Sequence, residues 1–77
     1  MPRYFFNIED DRHLSDQVGV VLPDLEAARV TAVATSGAII KDHAKRFWPD
    51  PNWKMRVTDE QGSIVCDLSF TGTVGAS

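Results

Sequence analysis

One stretch, Asp24 to Phe47, constrains the fold of this chain more than any other. Pro23 presets a backbone angle suited to helix entry, and Asp24 is a good N-cap whose carboxylate accepts a free backbone N–H. Glu26 adds negative charge at the positive end of the helix dipole. Lys41, Lys45 and Arg46 load the far end with positive charge, and Pro49 and Pro51 cannot continue a helix. The reading is one long helix over 24–47, roughly 36 Å at about 1.5 Å per residue. A seven-residue strand spans only about 23 Å, so the helix is expected to overhang its sheet.

Steps of about 100° per residue put Leu25, Ala28, Ala32, Ser36, Ile39, Ile40, His43 and Phe47 on one side, flanked by Val33. That stripe faces a core. The opposite side should be charged if it met only water. It carries Ala27, Val30, Thr31, Ala34 and Ala38 instead, bordered by Gly37 and followed by Lys41 and Asp42. A glycine inside a helix costs about 1 kcal/mol relative to alanine, which asks for a packing reason. The expected interface is therefore Ala27, Val30, Thr31, Ala34, Gly37, Ala38 and Lys41, packed on a partner helix. A copy of the same helix in a twofold homodimer is the simplest partner, and another protein is the alternative. Against this stands a plain fact: alanine is a good helix former and is common on surfaces.

The flanks read as two β-hairpins. Alternation over 3–9 sets Tyr4, Phe6 and Ile8 against Arg3, Phe5, Asn7 and Glu9. Residues 10–16 are a polar loop, and 17–22 a second strand with Val18, Val20 and Leu22 on one side. Beyond the proline-stiffened connector 48–52, Trp53, Met55 and Val57 alternate with Lys54, Arg56 and Thr58. Asp59-Glu60-Gln61-Gly62 is the clearest turn, with Gly62 supplying the positive φ of a short loop. Ile64, Cys66, Leu68 and Phe70 form the apolar side of the last strand, and Val65, Asp67 and Ser69 face away. The fold class is α+β: a four-stranded antiparallel sheet in ββαββ order with one helix across a face. Residues 1–70 make the single domain and 71–77 a frayed tail. Strand order is open at this point.

Seventy-seven residues lie near the lower limit for a self-sufficient core, which favours added burial by association. The net charge of −3 gives no global attraction to nucleic acid or to anionic membrane. A single Cys66 excludes an internal disulfide and a cysteine-based zinc site, and fits a reducing cytoplasm. Neither a signal peptide nor a run of about 20 apolar residues is legible, so a cytoplasmic protein off the membrane is expected.

Candidate chemistry is sparse. His13 and His43 lie in different elements, and His43 beside Ile39, Ile40 and Phe47 reads as a packed residue at the core's edge. Cys66 reads as a small buried hydrophobe with no partnering base. Glu9, Asp10, Asp11 and Asp16 could hold a divalent cation, but their spacing matches no calcium loop and acidic residues suit any solvated turn. The five glycines form no phosphate loop. The expectation is no enzyme, no cofactor and no metal. The alternative function is nucleic-acid binding on the open sheet face, with Arg3, Lys54 and Arg56 meeting phosphates while Phe5 stacks on a base. The acidic balance, Glu9 and Asp67 on that face, and its lone aromatic count against it.

Three blocks carry a resemblance: Pro2-Arg3-Tyr4-Phe5-Phe6-Asn7-Ile8, then Gly19-Val20-Val21-Leu22-Pro23-Asp24-Leu25-Glu26-Ala27-Ala28-Arg29, then Val57-Thr58-Asp59-Glu60-Gln61-Gly62. In that order, over about residues 2–70, they resemble a family of small single-domain proteins of unknown function found in rhizobia and other alpha-proteobacteria. Such relatives often have His where this chain has Asn7. The resemblance implies no activity, cofactor or catalytic residue. More loosely, the hairpin, Leu22-Pro23-Asp24-Leu25 and the Ala-rich helix are similar to the N-terminal part of HicB-type antitoxins, over about residues 3–45. That likeness implies a protein-binding role.

Overall fold

The computed structural model describes residues 1–10 and 13–75. Its elements run β1 (Arg3–Ile8), β2 (Val20–Val21), α1 (Leu25–Asp42), α2 (Ala44–Phe47), β3 (Asn52–Thr58) and β4 (Ile64–Thr71). The strands form one antiparallel sheet in the order β2-β1-β3-β4, so β1 and β3 are central and β4 is an edge. The ββαββ order and the α+β class are as the sequence implies.

Alternation explains the core. Tyr4 on β1 and Trp53, Met55 and Val57 on β3 are buried together with Ala28 and Ala32 of α1 and Phe47 of α2. Ala28 and Ala32 are 0 % exposed. Having only methyl side chains, they let the helix backbone sit close above the large residues of β3. Ser36 donates its hydroxyl to the Met55 Sδ at 3.5 Å, marking the crossing of α1 over β3.

The start of α1 follows the capping rule. Asp24 is extended (φ −159°, ψ 178°), and its Oδ1 accepts the Ala27 N–H at 2.8 Å. Its end does not follow the expected pattern. The helix stops at Asp42; His43 (φ −93°, ψ 5°) forms a turn whose N–H is shared between the Ile39 and Ile40 carbonyls, and α2 resumes at Ala44. Eighteen residues span about 27 Å. Eight residues of β4 span about the same length. The turn at His43 redirects the chain and seats Phe47 edge-to-face on Phe70, with ring centroids 5.2 Å apart.

Three further expectations give way to local chemistry. The second strand is two residues, not 17–22, because the Asp16 carboxylate substitutes for a strand: it accepts the N–H of Phe6 (3.2 Å), Val18 and Gly19 (3.0 Å each). In β4, Ile64 pairs with Thr58 but Cys66 with Val57, leaving Val65 as a bulge. The exchange is confined to the start of the strand: Ile64 is 56 % exposed and Val65 packs on the core, while Cys66 and Leu68 keep the core-facing side that alternation assigns them. β4 also runs one residue past the expected strand end at Phe70, and residues 76–77 of the expected tail lie outside the described residues. Thr71 closes β4, and Gly72 donates its N–H to the Pro51 carbonyl at 3.1 Å beside the Trp48 ring.

Candidate interaction surface

The outward face of α1 carries apolar side chains that the fold leaves uncovered. Val30 is 63 % exposed and Val33 61 %, and Ala34, Gly37, Ala38 and Lys41 are exposed beside them. Of the interface residues expected from sequence, Ala27 and Thr31 are half-buried and belong to the flank of the inner face. Val33 is outward, not a flank of the core stripe, and Leu25 is half exposed. The cause is a rotation. The core direction of α1 is set by Ala28 and Ala32, which lie at one border of the expected stripe, away from Val33. Glu26 and Val33 thus join the outer strip, and a helical wheel centred on the small residues would have found both.

Between α1 and the edge strand lies a groove of about 450 Å³, lined by Val33, Gly37, Ile40 and Lys41 on one side and Leu68 and Phe70 on the other. Trp53 lines it too and also borders a smaller cavity of about 180 Å³ with Asp10, His43, Arg46 and Asp50. The Trp53 Nε1 is buried without a hydrogen-bond partner. Alternation marked Trp53 only as a core residue and gave no signal for this.

The open sheet face brings together the residues of the nucleic-acid reading, but the protein already engages two of them. Arg3 donates its Nη1 to the Val18 carbonyl at 2.8 Å, and Arg56 Nε pairs with Asp67 Oδ1 at 2.8 Å. The Asp67 hydrogen bond and charge, then the charge of Glu9, raise the Arg56 guanidinium above its ordinary range. Phe5 is half-buried, with its ring edge against Gly19. Lys54 is exposed. Asn7 joins strands: its Nδ2 donates to the Arg56 carbonyl (3.1 Å) and its Oδ1 accepts the Asp16 N–H (3.0 Å).

The acidic loop is not a cluster of free carboxylates. Burial works against ionisation of Asp16, but the Gly19, Val18 and Phe6 N–H groups together outweigh it and hold its carboxyl below the ordinary 3.8. Asp11 lies outside the described residues. Among the described residues no three His, Cys, Asp or Glu side chains gather as a metal site. His13 is exposed and His43 half-buried, on different elements. Burial, above the opposing effect of Arg29, pushes the Cys66 thiol up, the reverse of an activated nucleophile. No helix among the described residues is long and apolar enough to cross a membrane.

These features define a small α+β domain: an open antiparallel sheet with a single long helix whose outer face is bare. The chain belongs to the DUF6894 family, a domain of unknown function, whose family model matches residues 3–71. Comparison with curated proteins and with solved structures gives no match.

Proposed function

We propose that this domain is a non-enzymatic interaction module that self-associates through the outer face of α1. The observation that carries the reading is the exposure of Val30 and Val33 on a helix face that also holds Ala34, Gly37 and Ala38. A contiguous apolar strip on so small a domain is the usual mark of an interface. The reading places the protein in the cytoplasm, where a single unpaired thiol persists without an oxidising partner. A different protein, as an antitoxin-like module would bind, is the other occupant of the same face. The nucleic-acid alternative is weaker, because Arg3 and Arg56 are already held by protein groups.

Light scattering on the wild type and on Ala34→Glu tests this. A wild-type dimer and a variant of half its mass that still unfolds cooperatively support the reading. A dimer in both moves the interface elsewhere and overturns the assignment to α1. A wild-type monomer overturns self-association itself.

A further inference from the structure

The outer strip of α1 has an order that matters beyond its apolarity. At about 100° per residue, Glu26, Val30, Val33, Ala34, Gly37 and Lys41 share one sector about 100° wide, directly opposite Ala28 and Ala32. Read from either end, the strip runs charge, aliphatic or gap, small centre, gap or aliphatic, charge. An antiparallel copy centred between Val33 and Ala34 sets Glu26 against Lys41, and Val30 against Gly37. Packing inside the monomer does not require a glycine at Gly37, since a Cβ built there meets nothing within 4 Å. Its absence leaves a recess that a facing valine fills.

Building on the proposed self-association, we infer that a second copy of this chain docks on α1 antiparallel, about a twofold axis between Val33 and Ala34. Charge complementarity selects this arrangement. A parallel pairing in register sets Glu26 against Glu26 and Lys41 against Lys41, and leaves the Gly37 recesses facing each other. The antiparallel pairing makes two Glu26–Lys41 contacts and two Val30–Gly37 contacts, as a twofold interface requires. It also opposes the two helix dipoles.

Cysteine cross-linking reads the register directly, in a Cys66→Ser background so that engineered thiols are the only ones. Val30→Cys with Gly37→Cys in one chain is expected to give a covalent dimer under mild oxidation. Val30→Cys alone is not, since the two copies of residue 30 are separated by about 10 Å along the axis, beyond the reach of a disulfide. A charge swap gives a second reading free of thiols. Glu26→Lys alone or Lys41→Glu alone should raise the dimer dissociation constant about tenfold, and the double variant should return to within about twofold of wild type. Cross-linking of Val30→Cys with itself, or a double swap no tighter than the singles, overturns the antiparallel register even where light scattering shows a dimer. A monomeric wild type overturns the self-association beneath it, so the two failures are distinct.

Discussion

The β3–β4 hairpin is paired from Asn52↔Thr71 to Thr58↔Ile64 with one bulge at Val65, whereas β1 and β2 meet only at Arg3↔Val21 and Tyr4↔Val20. The first is a backbone ladder closed by a tight turn, in which Asp59 Oδ1 accepts the Gln61 and Ser63 N–H at 2.9 Å each. The second is a loop drawn to a strand by side chains. Asp16 takes the Phe6 N–H that a longer β2 would have taken, Asn7 holds the Asp16 N–H, and Leu14 bridges Ile8 alone. One sheet thus has an edge made by regular pairing and an edge whose short backbone pairings are linked by two polar side chains. The lesson is that backbone N–H groups find their partners by unequal means at the two edges, and that the two edges should fail differently.

The largest effect is expected where both halves share a core. Met55 is almost fully buried on β3, beneath α1 and between the pairings to Ile8 and Leu68. Met55→Ala should destabilise the fold by about 2–5 kcal/mol, measured by urea denaturation, through lost burial and the cavity left behind. If β1 unfolded separately from β3, two transitions would appear in place of one, and the contrast between edges would become one between independent units.

Gly19 should come next, because two penalties act at once. Its φ is +76°, and an added Cβ would meet the Tyr4 carbonyl, Arg3 Cγ and Phe5 Cε1, each at 2.9 Å. The backbone oxygen cannot move without breaking the β1–β2 pairing at Tyr4↔Val20. Gly19→Ala is expected to cost about 3 kcal/mol. Hydrogen exchange should show lost protection on β1 and β2 first, with β3–β4 retained.

Asp16 sharpens the comparison by pH. Removing its carboxylate in Asp16→Ala strips acceptors from the Phe6, Val18 and Gly19 N–H groups and should cost about 2 kcal/mol. Its carboxyl is held below 3.8 in the fold, so the ionised form is the one that folding favours. The stability it contributes is fully present above about pH 4 and is lost as acid titrates the group below that value. A urea midpoint that falls between pH 5 and 3 in the wild type but falls less in Asp16→Asn would show this edge to be held by charge. Equal pH slopes in the two proteins would refute it.

What was legible in the sequence follows the same division. Trp53, Met55 and Val57, the Asp59–Gly62 turn and the Asp24 cap are governed by neighbours a few residues away, and period or turn chemistry reveals them. The Asp16 substitution for a strand depends on Phe6 and Asn7, ten and nine residues distant, and no alternation reports a side chain standing in for backbone. The Val65 bulge hides because one extra residue leaves the composition of β4 unchanged while exchanging only Ile64 and Val65 between its faces. For the candidate interface, the helix and the existence of a bare face were readable, but its centre was not. Ala28 and Ala32 contribute little hydrophobicity to any wheel, and they nonetheless set which way the helix faces.

The smallest effect belongs to Gly62, the partner of Gly19 in the other hairpin. Both have positive φ, +81° here, but nothing lies within 4 Å of a Cβ added at Gly62. Gly62→Ala therefore carries only the left-handed backbone penalty, about 1 kcal/mol, and a melting shift of about 4–8 °C. Gly62→Asn should recover most of that loss, since asparagine tolerates this conformation. The same Asn substitution at Gly19 should recover little, because the clash with the Tyr4 carbonyl remains. Differential rescue by asparagine in thermal denaturation separates strain from crowding. If Asn rescued both glycines equally, the crowding at Gly19 would be relieved by movement of the loop, and the side-chain-built edge would be softer than its hydrogen bonds imply.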